Sequence, residues 1–289
     1  MSTITAGPLA GAARPRPDGW LTEPLTEDQT AATAQASAIL QRHYPEVAAP
    51  VRCLTARYRS AVFTVGNPPQ AVLKRHADTA AYLGERLAYD LLAADQVLPG
   101  LQASCDRSRT LLVDYLPDTA DLTDRDTFDD LIALVARVHT ASARWPRSLG
   151  EPMTPWRIDA ALLADPAWVD DAQAWRDMLR LVNAAHGPAH LPLGNLDLHR
   201  DHVRCRDDGR LALVDVETLR PDVTGLPDVV TLAYLAGEIG HTRPGPWVRA
   251  RYLRHLHHTG VTWTDRDLLT ALTCFATATG LESLHGLDR

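Results

Sequence analysis

The chain has 289 residues, 45% of them hydrophobic and 22% charged, with a formal net charge of −7. There is enough apolar material for one large domain or two lobes, and the negative balance argues against nucleic acid or an anionic membrane as the main partner. Cys53, Cys105, Cys205 and Cys274 lie far apart, which excludes a zinc-type or redox-type pair and makes free thiols the expectation. The first residues show neither a basic region nor an apolar run, so no signal peptide is expected. No apolar stretch reaches the roughly 18 residues of a membrane span, and a cytoplasmic location is expected.

Residues 1–24 are rich in Gly, Pro and Ala and read as a flexible tail. Thr26-Glu-Asp-Gln29 looks like a capping box for a helix with Ala32, Ala36, Ile39 and Leu40 on one face. Strands are predicted over 51–58, 61–65 and 70–74, the last two joined by a turn at Asn67-Pro-Pro. A helix follows over 79–95, with Leu83, Leu87 and Leu91 as its apolar stripe and Glu85 one position off it. Thr110 to Leu116 reads as a strand ending at Pro117, completing an antiparallel sheet with one helix packed on it. These elements form a predicted N-terminal lobe, 25–116.

The remainder, 117–289, reads as mainly helical. Phe128, Leu131, Ile132, Val135 and Val138 mark one helix, and 157–184, with Trp168 and Trp175, a second. Two short strands, 202–205 and 211–214, flank Asp207-Asp208-Gly209, a strong hairpin signal. Helices resume near Asp228, Trp247 and Asp265. The fold class is therefore α+β, a small antiparallel lobe with a helix followed by a larger helical lobe.

Lys74 is the only lysine; 28 of the 29 Lys and Arg residues are arginine. Lysine is a compact point charge where arginine is a flat fork, so its retention at one strand position suggests a task arginine cannot do. Read in order, the chain presents a strand lysine, a helix glutamate (Glu85), an Asp in a loop (Asp197) and an Asp at a hairpin end (Asp215). Phosphoryl transfer uses that order. Lys74 can hold nucleotide phosphates, Glu85 can fix Lys74, Asp197 can orient and deprotonate an acceptor hydroxyl, and Asp215 can supply a hard oxygen to a metal. His202 stands where the second metal ligand of a kinase-type loop falls.

The Asp197-Leu-His199 and Val214-Asp215-Val-Glu217 segments resemble the catalytic-loop and metal-strand motifs of the aminoglycoside phosphotransferase family. Gly225-Leu-Pro-Asp228 and Leu232-Ala-Tyr resemble its following helix, and Ala71-Val-Leu-Lys74 and Leu112-Val-Asp-Tyr-Leu-Pro117 resemble its lysine strand and interlobe hinge. The resemblance implies a two-lobed, protein-kinase-like fold, ATP and Mg2+ as cofactors, and nucleotide contacts from the hinge residues Asp114 and Leu116 and from Ser60 in the β-turn that would cover the phosphates. It also implies that Asp215 and His202 hold metal. Two positions depart from the family: Asn195 replaces the histidine that braces the loop, and His202 replaces the metal-binding asparagine. The segment Ala56-Arg-Tyr-Arg-Ser60 contains no glycine.

The resemblance implies an ATP-dependent transfer to a hydroxyl of a small molecule, first an antibiotic or other secondary metabolite, with antibiotic resistance as the associated role. The alternatives are a Ser/Thr peptide kinase in ribosomal-peptide tailoring, with partner proteins, and a pseudokinase scaffold. Other features have plainer readings. His199 reads as a loop brace, His255-Leu-His-His258 as a surface helix, the Asp121 to Asp126 cluster as helix-start chemistry, and Trp156, Trp168 and Trp175 as core anchors.

Overall fold

The computed structural model describes residues 25–47, 49–141, 169–187, 192–195, 197–220 and 224–288. The tail over 1–24, Trp156, Trp168, the start of the 157–184 helix and Leu196 lie outside them. The described residues form two compact units, one through Asp118 and one from Thr119.

The first unit starts with α1 (Gln29–His43), capped by Asp28, whose side chain accepts from the Ala31 N–H. Thr26 lies too early to cap it; its hydroxyl accepts instead from the Asp28 N–H at 3.2 Å, so the capping box is replaced by a single Asp cap. Five antiparallel strands follow: β1 (Val51–Ala56), β2 (Ser60–Val65), β3 (Ala71–His76), β4 (Leu101–Cys105) and β5 (Thr110–Asp114), in the order β1-β2-β3-β5-β4. β1 and β5 are shorter than predicted, and β3 runs two residues past Lys74. β4 is an addition to the predicted sheet.

Alternation along a strand sends neighbours to opposite faces. Phe63, Leu73 and Leu112 face one way, in register across β2, β3 and β5, and are buried with Ala32, Ala36, Leu40 and Tyr44 of the α1 segment. Lys74, paired with Val62 and Leu111, faces the other way, where α2 (Thr79–Leu92) packs. Two helices thus cover the sheet where one was expected. α2 buries Tyr82, Glu85, Ala88, Tyr89, Leu91 and Leu92; Leu83 is 42% exposed. Of the predicted Leu83–Leu87–Leu91 stripe only Leu91 is buried, because the Glu85 ion pair and the bulk of Tyr82 and Tyr89 set the orientation.

The second unit holds α3 (Arg125–Thr140), α4 (Ala172–His186), α5 (Leu226–Glu238), α6 (Pro244–His257) and α7 (Asp265–Thr279). α3, α5 and α6 pack together, and α4 packs on α7. Asp124 caps α3 through the Thr127 N–H, so the acidic cluster is helix-start chemistry, and Trp175 is buried in α4. Two small ladders carry the loops of interest: β6 (Gly194–Asn195) with β9 (Leu219–Arg220), and the hairpin β7 (Val203–Cys205) with β8 (Leu211–Leu213). The hairpin turns at Gly209, whose φ of +80° is left-handed backbone that glycine adopts at little cost. No helix among the described residues is long and apolar enough to cross a membrane.

Candidate active site

In the first unit Lys74 is 7% exposed and Glu85 2% exposed, and their side chains meet with Lys74 Nζ 2.9 Å from Glu85 Oε2. The same oxygen lies 2.9 Å from His76 Nε2. His76 is two residues beyond Lys74 on β3, on the same face, so one carboxylate serves both. Burial alone pushes the Glu85 carboxyl up, but the Lys74 ammonium and the His76 ring outweigh it and hold the group at about 2. Glu85 is therefore charged at neutral pH, and Lys74 is held by an ion pair sheltered from water, as the sequence reading anticipates.

The other nucleotide candidates in this unit are placed as follows. Ser60 opens β2, and its carbonyl closes the β1–β2 turn by accepting from the Arg57 N–H at 3.0 Å. Asp114 ends β5, its side chain accepting from Gln102 Nε2 at 2.8 Å, and Gly100 packs so closely on that carboxylate that a Cβ there would clash with Oδ2. Tyr115 continues the edge by donating its N–H to the Gln70 carbonyl at 3.2 Å. Among the described residues the next backbone unit, at Leu116, forms no hydrogen bond.

In the second unit, the loop leaving β6 carries Asp197 and the segment leaving β8 carries Asp215. His202 links them. Its Nδ1 is 2.9 Å from the Asp197 carbonyl, and its Nε2 is 3.8 Å from Asp215 Oδ2. Asp197, His202 and Asp215 each offer one ligand atom within 4.8 Å of the others. The His202 side chain is 21% exposed, while those of Asp197 and Asp215 are 54% and 41% exposed, so the ring is more sheltered than the carboxylates. Asp215 has φ +61°, a left-handed conformation uncommon outside glycine. It is held between the Val214 N–H, which donates to the His202 carbonyl at 2.9 Å, and Val216, buried at 1% exposure.

The loop carrying Asp197 is braced through Asn195. Asn195 Oδ1 accepts from Thr218 Oγ1 at 2.6 Å and from the Asp197 N–H at 3.4 Å. The Asn195 N–H donates to Asp228 Oδ2 at 2.7 Å. That oxygen also meets His139 Nε2 at 2.8 Å, and His139 Nδ1 meets the Tyr252 hydroxyl at 2.8 Å. A carboxylate oxygen can only accept from the ring, so Nε2–H donates to it, and in the neutral ring Nδ1 accepts from Tyr252. Burial pushes the Asp228 carboxyl up, against the His139 ring and the Asn195 N–H, which pull it down. Gly225, at φ +76°, packs so close that a Cβ would stand 2.9 Å from three His139 ring carbons. A buried chain through α6, α3 and α5 thus ends on the backbone two residues before Asp197. His199 braces the loop as anticipated, accepting from the Asp201 N–H at 3.2 Å.

His76, His139, Thr218 and Tyr252 are the participants that sequence reading does not identify. For His76 the signal is present: it follows from carrying β3 to its end at period two. For His139 and Tyr252 no local signal exists, since they meet Asp228 only through helix packing. His255, within α6, pairs with Asp129 at 3.2 Å, and His257 Nε2 lies 3.2 Å from the Trp263 carbonyl; this helix reads as structural.

The donor set fits a divalent cation. Asp215 offers carboxylate oxygens, His202 an imidazole nitrogen, and Asp197 a second carboxylate within reach, the ligand types such ions take.

No family model matches this sequence, and no curated protein matches it. Solved structures do. The chain is similar to an ethanolamine kinase of Plasmodium vivax, with a TM-score of 0.54 and 10% identity over 91% of this chain and 84% of that one. It is similar to a type I macrolide 2'-phosphotransferase, with a TM-score of 0.52 and 16% identity over 91% and 97% of the two chains. The apo macrolide 2'-phosphotransferase of Brachybacterium faecium gives 0.52 and 15% over 88% and 96%. The chain therefore has the protein-kinase-like α+β fold of small-molecule kinases and phosphotransferases, in agreement with the resemblance its motifs carry.

Proposed function

We propose that this chain is an ATP-dependent phosphotransferase that moves the γ-phosphoryl group to a hydroxyl of a small molecule. The observation that carries the reading is the meeting of Asp197, His202 and Asp215 from loops leaving two different ladders. The buried Lys74–Glu85 pair supports it, since a lysine ion-paired to a helix glutamate is the device that kinase folds use on nucleotide phosphates. The backbone at Leu116 is available to the edge of a nucleotide base, and Ser60 and its turn to phosphate oxygens. The unit through Asp118 then serves the nucleotide, and the helical unit the acceptor.

In this reading Asp197 accepts the proton of the acceptor hydroxyl as that oxygen bonds to the γ-phosphorus. The bond between the γ-phosphorus and the β,γ-bridging oxygen breaks, and ADP leaves with the electron pair. Lys74 neutralises phosphate charge and is kept from wandering by Glu85. Asp215 and His202 would hold the divalent cation, which supplies further charge neutralisation on the phosphates. The favoured acceptor is an antibiotic or other secondary metabolite, supported by the fold shared with the macrolide 2'-phosphotransferases. A small amino alcohol is the alternative that the ethanolamine kinase likeness supports.

The test is transfer of labelled γ-phosphate from ATP to panels of macrolides, aminoglycosides and amino alcohols. Asp197→Asn should lower kcat by about 10²- to 10⁴-fold, the span of general-base catalysis, while nucleotide affinity stays within about twofold. An Asp197→Asn variant with undiminished kcat would overturn the reading.

A further inference from the structure

We propose that His202 makes this cation site selective for a first-row transition dication over magnesium. The role of that ion rests on the phosphotransferase reading; its ligand chemistry rests on the geometry alone.

The Asp197 carbonyl, 2.9 Å from His202 Nδ1, can only accept a hydrogen bond, so Nδ1 carries the proton. In the neutral ring the lone pair is then on Nε2. Nε2 faces Asp215 Oδ2 at 3.8 Å, too far for a hydrogen bond. It is a separation that two ligands of one ion can have when each lies about 2.1 Å from it. A ring whose other nitrogen donates to a backbone carbonyl is the arrangement that fixes the tautomer of a metal-binding histidine and raises its basicity.

The ring is also held in place. The His202 N–H donates to the His199 carbonyl at 2.9 Å, and the His202 carbonyl accepts from the Val214 N–H at 2.9 Å. The His199 ring stands edge-on with its centroid 5.8 Å away. On the facing side Asp215 is fixed in its left-handed conformation. The nitrogen ligand is therefore presented by the backbone on both sides of the site.

Magnesium demands oxygen ligands in near-ideal octahedral geometry, whereas imidazole suits the later transition ions. An amide oxygen at this position would favour magnesium. Replacing it by Nε2 lowers magnesium affinity and raises that of Co2+ or Zn2+.

The experiment titrates nucleotide-free protein with Co2+ and with Mg2+ by calorimetry, following the Co2+ visible spectrum in parallel. His202→Asn and His202→Gln are the test variants, with folding checked by circular dichroism. His258→Asn, outside the site, is the control. The preference for Co2+ over Mg2+ should fall by about 10- to 100-fold in both test variants and stay unchanged in the control. An unchanged preference in the two folded test variants, or an equal loss in the control, overturns the proposal. Repeating the titrations with ATP separates the two readings. A His202-dependent preference without ATP binding removes the phosphotransferase and keeps the ion site. ATP binding with a His202-independent preference does the reverse.

Discussion

Glu85 is the residue on which the first unit's chemistry turns. One carboxylate oxygen serves both the Lys74 ammonium and the His76 ring in a buried setting. Removing its charge breaks a buried ion pair from one side, a change that costs about 3–5 kcal/mol. Glu85→Gln should therefore lower the urea midpoint strongly at neutral pH. The sign of the pH dependence follows from the depressed folded value. The stabilisation is complete above the ordinary value of 4.5 and disappears as pH falls toward about 2. The stability gap between wild type and Glu85→Gln should thus narrow on acidification below 4.5. A gap independent of pH in that window would show that the carboxylate charge is not what the variant removes.

At the scale of elements, α2 shows where periodicity is a poor guide. Three leucines at four-residue spacing define a stripe, yet only Leu91 of them is buried, and the rest of the buried face runs through Tyr82, Glu85, Tyr89 and Leu92. Leu83→Ala should change stability by no more than about 0.5 kcal/mol. Tyr82→Ala should cost about 3–5 kcal/mol by cavity formation and also lose the 2.6 Å bond to Asp106. Equal losses on thermal melting would contradict this orientation. The strands β1, β2, β3 and β5 were legible because β-branched residues and turn formers punctuate them. β4 was not, because Leu101-Gln-Ala-Ser-Cys105 carries no β-branched residue and its pairing with β5 is decided by tertiary contact. The acids and the lysine of the candidate site were legible as residue types in a known order. The brace under Asn195 was not, since Asp228, His139 and Tyr252 come from three helices whose packing no local pattern encodes. The Asp28 cap was misassigned by two residues for a simpler reason: Thr26 and Asp28 both have capping side chains, and only geometry separates them.

For the molecule as a whole, any ligand that binds the folded chain must stabilise it. ATP with a divalent cation at about 100 times its Kd should add about 2.7 kcal/mol, a rise in Tm of roughly 5–10 °C for units of this size. Scanning calorimetry with ATP, with cation alone and with neither would check this. The rise should need Lys74, so Lys74→Met should show little of it. A full rise in that variant would remove the lysine from the nucleotide's surroundings.

The arginine-for-lysine bias has a practical corollary. Within these 289 residues a lysine-specific protease has a single bond to cut, after Lys74. That bond lies inside β3, hydrogen-bonded on both sides to β2 and β5. Cleavage therefore requires the central strand to come away from its neighbours, and the rate at which the chain falls into two fragments reads out how often the middle of the sheet opens.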